Sequence, residues 1–203
     1  MMGRKGITVL NLAILAFVSV ASGQIDSAKS NLTERGHLNV GGRETPYLIR
    51  RLPVSSFPEL PREIAAELDE RGCMIPQTYQ AHRPENVIHA SLERAGSSDW
   101  AVLCSSGGTV QLMVFFGSSP KEPSVLATEP ETARMETHDR SGVLGFAWGI
   151  DPASPRRVRE AQFEMEHHPP LLDHDALADV FVEKGTQYHF FTKNAWKVID
   201  ITD

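Results

Sequence analysis

The chain has no Gly-x-Ser-x-Gly elbow, no Gly-rich phosphate loop and no dinucleotide fingerprint. Serine hydrolases of the strand–turn–helix type, P-loop nucleotide enzymes and Rossmann dehydrogenases each depend on the local backbone those motifs encode, so all three are set aside. The nearest approach, "GVLGF" at residues 142–146, is too short and lacks a third glycine. No cofactor is implied. A basic excess is also missing: 20 Lys and Arg stand against 26 Asp and Glu, a formal charge of -6. Nucleic acid and anionic membrane reward clustered cations, so neither is an expected partner. The one local basic group, "RRVR" at residues 156–159, lies among acids and fits a solvated helix face.

Long apolar runs are almost absent too. The single one, "ITVLNLAILAFVSV" at residues 7–20, follows Arg4 and Lys5 and precedes the small residues Ala21, Ser22 and Gly23. This is the order of a secretion signal, so residues 1–23 are expected to be removed and the protein to be secreted or periplasmic. The run falls short of the roughly 20 residues a membrane span needs. A retained anchor is the rival reading. No cysteine stands at the cleavage point to take a lipid, and no second run would hold the processed chain in a membrane. Removing the signal leaves 18 basic and 26 acidic residues, a charge of -8.

Only two cysteines occur, Cys73 and Cys104. In an oxidising compartment an even pair suggests a disulfide, worth roughly 3–4 kcal/mol for a loop of about 30 residues. Two separately buried thiols are the alternative.

Residues 24–45 carry Ser, Gly, Asn and charge without a period and are expected to be a flexible leader, with a glycosylation sequon at Asn31. Residues 46–203 are expected to be one domain. A short strand is expected over 47–52. "FPELPREIAAELDERGC" predicts a helix: Leu60, Ile64 and Leu68 form one stripe, and Gly72 stands at its stop. Strands are expected over 86–92, 99–104 and 109–116, the last two joined by "SSGG". Both faces of that hairpin are apolar, which places it in the middle of the fold. Further strands are expected at 123–130 and 142–150. Ser154 and Pro155 open a helix in preference to a strand, and Asp173 or Asp175 is expected to cap another that stops at Gly185. A hairpin turning at Lys193 and Asn194 closes the chain. The fold class is α+β: a mostly antiparallel sheet with two or three packed helices and a C-terminal β-hairpin.

The stretch "ASLERAGSSDWAVLCSSGGTVQLMVFFG" (residues 90–117) resembles one unit of the FG-GAP type found in β-propellers such as integrin heads. In that family the polar loop carries several acids that bind calcium. Here the loop offers only Asp99 with Ser97 and Ser98, too few oxygens for a hard cation. The resemblance therefore implies a strand–loop–strand shape and no calcium site. The wider pattern "RGCMIPQ", "RPENVI", "GSSDWAVLC" and "PPLLDHDALADVF", with the final hairpin, resembles a family of secreted bacterial proteins without an assigned activity. It covers most of residues 57–203 and implies one exported domain.

Four residues are candidate metal ligands: His167, His168, His174 and Asp175, near Glu164, Glu166 and Asp173. On a helix Glu164 and His168 would share a face, but "EMEHH" is neither zinc-hydrolase motif, and adjacent histidines point apart. The acids of "DHD" suit a helix start at least as well. Cys104 lies late in an apolar strand on the face of Trp100, a setting that keeps a thiol inert, although His89 lies on the preceding strand. Trp100, Trp148 and Trp196 fit core positions, with Trp196 expected against Phe190 or Tyr188. Together these residues describe an exported, non-catalytic binding or accessory domain. A metal-dependent hydrolase using His167, His168 and His174, and a thiol-redox protein using Cys73 and Cys104, are the alternatives.

Overall fold

The computed structural model describes residues 32–120, 122–137, 140–163 and 171–202. The signal segment, the Asn31 sequon, His167 and His168 lie outside the described residues.

Two mostly antiparallel sheets carry the described residues. The larger has the strand order β7-β6-β5-β3-β2-β9-β8, with β1 paired to β2 and β4 to β5. Its strands are β1 (Thr33–Val40), β2 (Arg43–Pro53), β3 (Met74–Gln77), β4 (Val87–Ala90), β5 (Asp99–Ser106), β6 (Thr109–Phe115), β7 (Ser124–Pro130), β8 (Met135–Thr137) and β9 (Leu144–Phe146). The smaller is a meander of β10 (Trp148–Ala153), β11 (Ala176–Phe181), β12 (Gly185–Thr192) and β13 (Ala195–Thr202). Two α-helices occur among the described residues, α1 (Arg62–Glu70) and α2 (Pro155–Ala161).

The expected hairpins form where the turn chemistry demands them. Gly107 and Gly108 (φ 59° and 80°) close β5–β6, and Lys193 and Asn194 (φ 51° and 57°) close β12–β13. Positive φ at both central residues matches the right-handed twist of the flanking strands. In α1, Ile64 and Leu68 are fully buried, each worth about 1.5–3 kcal/mol. Gly72 (φ 68°) ends the helix, and the Cys73 N–H returns to the Leu68 carbonyl at 2.9 Å. Ser154 caps α2, its hydroxyl accepting from the Arg157 N–H.

Three apolar clusters arise from these faces. Ile49, Leu103, Leu112, Phe146, Trp148 and Leu177 pack between the sheets. The opposite face of β5 and β6 (Trp100, Val102, Cys104, Met113 and Phe115) packs with Ile64 and Leu68 of α1. Ala176, Ala178, Tyr188 and Phe190, on the far face of the small sheet, pack with Val158 of α2. The β5–β6 hairpin is thus covered on both faces, as its two-sided apolar pattern requires.

Three expectations are overturned. Residues 33–45 are not a loose leader: β1 pairs with β2 through eight register positions around a turn at Gly41–Gly42. The helix expected to start at Asp173 or Asp175 and run to Gly185 is instead β11 and the turn after it. Its Asp179 is 1% exposed, so a residue that looks like a solvent-facing break is interior. Asp175 caps no helix; its carboxylate accepts from the Ser91 N–H at 3.2 Å. Trp196 does not meet Phe190 or Tyr188. The two-residue turn sets Phe191 opposite Trp196, and the Trp196 ring stacks on Phe116 at 5.8 Å.

Candidate functional site

The charged side chains of the interior are held in closed sets. Arg134 pairs with Glu129 of β7 at 2.8 Å and with Asp179 of β11, and its guanidinium lies 4.1 Å over the Trp148 ring. The Trp148 indole N–H donates to Asp179 at 2.7 Å, and His189 Nε2 lies 3.3 Å from the other Asp179 oxygen. Burial alone would raise the Asp179 carboxyl. The His189 and Arg134 hydrogen bonds, with the Arg134 charge, hold it below its ordinary value. Arg51 joins Glu131 and Glu34, while Glu131 also accepts from the Ser105 hydroxyl at 2.7 Å. These sets tie one sheet, or one strand, to the next. Each acid is already matched by a cation or a donor.

The sequence candidates fall into similar roles. His174 is nearly buried, with Nδ1 2.6 Å from Asp173 and Nε2 2.9 Å from the Phe191 carbonyl oxygen. Both ring nitrogens are engaged by the protein itself. Among the described residues no three His, Cys, Asp or Glu side chains converge as a metal-binding group. Cys73 and Cys104 form a disulfide, Cα–Cα 5.1 Å, inside the cluster beneath α1. Asp99 is fully buried and works as a backbone clamp: its oxygens accept from the N–H groups of Leu92, Glu93 and Gly117, each at 2.8 Å. His89 stacks on Trp100 at 4.5 Å and bonds Ser98 at 2.7 Å.

The concavity that stands apart lies where β2 changes neighbours. Along one edge β2 pairs with β3 from Arg50 to Pro53, then with β9 at Tyr47 and Leu48. Gln77 is opposite Arg50, and Gly145 is opposite Leu48. Between these pairings β3 has left the edge and β9 has just joined it. A cleft of about 300 Å³ opens there, at the small end of the range for ligand pockets.

Its wall is apolar where Leu48, Tyr79, Val143, Leu144 and Phe146 contribute. Its base is fixed. Buried Gln77 donates to the Ile75 and Glu85 carbonyls, both at 3.1 Å, and accepts from the Glu85 N–H at 3.0 Å. The Thr78 N–H donates to the Glu85 carboxylate at 2.7 Å, and the Tyr79 N–H donates to the Phe146 carbonyl at 2.8 Å. Gly145 permits that last approach: a Cβ there would lie 2.5 Å from the Tyr79 Cβ. Arg50 reaches across, donating to the Ala81 carbonyl at 3.1 Å. Arg35 of β1 completes the rim.

Sequence reasoning missed this site. Arg35 sits in the segment assigned to a leader, and a change of strand partner leaves no local motif. The alternation of Leu48 and Arg50, set against Ile49, is the one signal present. Comparison with protein-family models, curated proteins and solved structures finds no match to this chain.

Proposed function

We propose that the protein is an exported, non-catalytic binding or accessory domain of α+β build, which takes a small ligand into the cleft at the β2 junction. The observation that carries this is the cleft itself: an apolar wall on a base fixed by hydrogen bonds, with polar groups at its edge. A pocket organised before binding spends little free energy on ordering itself. The buried disulfide supports export, because thiols stay reduced in the cytosol. The closed charge sets support a binding role, since general acid–base work needs a titrating group within reach of substrate.

The test is methyl-detected NMR with small molecules that combine an apolar body and one polar group. Shifts concentrated at Leu48, Val143 and Leu144, and abolished in a folded Val143→Trp variant, are the expected result. Shifts that leave these methyls untouched would overturn the reading. Stoichiometric zinc in the purified protein, lost together with its fold or an activity, would favour the metal-hydrolase alternative instead.

A further inference from the structure

We infer that the cleft selects a monoanionic amphiphile: a small carboxylate bearing a short apolar chain. This rests on the cleft's being a binding site and deepens that reading.

Three observations carry it. The first is size. A cleft of about 300 Å³ lies at the small end of the range for ligand pockets, which suits a short chain. The second is charge. Arg35 lies opposite Leu48 in the β1–β2 register, and Leu48 and Arg50 share a face of β2, so both guanidinium groups stand on the cleft side of the sheet. Diagonal positions on an antiparallel pair lie about 7–8 Å apart, within reach of one carboxylate for two such long side chains. Neither arginine takes part in an ion pair among the described residues. Among the described residues, the acids beside the lining hold neutral donors of their own: Glu85 accepts from the Thr78 N–H, and Glu183 from the Gln80 amide at 3.2 Å. The third is complementarity. The chain carries a net charge of -6, yet two arginines that form no ion pair among the described residues meet at this apolar cleft. Arginine's planar fork matches a carboxylate, and the apolar wall suits a hydrocarbon chain attached to it.

Octanoate has ten non-hydrogen atoms and is the probe; octanamide matches its shape without the charge. Both are titrated below their aggregation limits, with shift mapping and calorimetry. Octanoate is expected to bind at the Leu48, Val143 and Leu144 methyls at least tenfold more tightly than octanamide. Added salt should weaken octanoate and leave octanamide unchanged. Arg35→Gln, on an exposed side chain, is expected to collapse that preference toward one. Arg50→Lys, which keeps a donor for the Ala81 carbonyl, should reduce it partially. Arg62→Gln on the exposed start of α1 is the charge control and should leave it intact.

Equal binding of the two probes would overturn the anion inference and leave the cleft reading standing. Failure of both probes, and of the wider small-molecule set, would overturn both. Binding to vesicles of anionic phospholipid without binding to dispersed octanoate would assign the arginines to a lipid surface and overturn the small-ligand inference.

Discussion

Trp100 shows how a single residue is committed to the fold. It is 7% exposed, stacked on His89, and its indole N–H has no acceptor among the described residues. Trp100→Ala is expected to cost about 3–5 kcal/mol in denaturant unfolding, the range for truncating a buried aromatic. Trp100→Phe should cost distinctly less, because the N–H it removes satisfies nothing. Asp179 is the opposite case, a buried acid in which every contact counts. Asp179→Asn removes one of the two acids paired with Arg134 and leaves Glu129 in place, so it is expected to cost less than the roughly 3–5 kcal/mol of a buried pair broken outright. Its pH dependence has a definite sign. The carboxyl is held below its ordinary 3.8, so its contribution is complete at neutral pH and lost as pH falls through the lower, folded value. Melting temperature measured from pH 7 down to pH 2 should therefore drop below about pH 4. The drop should be shallower in Asp179→Asn.

At the level of elements, legibility depends on how far a local rule can act alone. The β5–β6 and β12–β13 hairpins are readable because their turns are written in two adjacent residues each. Helix α1 is readable because Leu60, Ile64 and Leu68 repeat on one face and Gly72 stops it. Strand β11 is not. Both its faces are covered, Leu177 toward one cluster and Ala176 and Ala178 toward another, so it carries no alternation. Its buried Asp179 imitates a polar helix face, and only the distant Arg134 explains it. Strand β1 escapes notice because its residues are largely exposed and its pairing is with β2 alone. The β12–β13 turn gives an element-scale prediction. Lys193 holds a left-handed conformation that costs a side chain roughly 1 kcal/mol. Lys193→Gly should therefore raise stability by up to about 1 kcal/mol in thermal unfolding. Loss of stability there would mean that Lys193 has a role in the fold beyond its turn geometry.

For the whole molecule, two sheets share one apolar layer, and α1 is fastened beneath the larger sheet by the disulfide. With a sequence separation of 31 between Cys73 and Cys104, the chain-entropy model assigns the bridge roughly 3–4 kcal/mol. Cys73→Ala/Cys104→Ala should lose about that much in denaturant unfolding while keeping the same circular dichroism. The candidate site also belongs to this scale. No segment encodes it: Arg35, Leu48, Gln77, Tyr79 and Leu144 come from separate stretches, and β2 brings them together by exchanging β3 for β9 along one edge. That is why composition and motif could not point to the cleft.

The most direct measurement is the map of methyl shifts on titrating the folded protein with octanoate. The expected result is saturable change centred on Leu48, Val143 and Leu144, lost in Val143→Trp. Saturable change centred elsewhere, or none at millimolar octanoate and with the wider set of small molecules, would contradict the assignment of this cleft as the binding site.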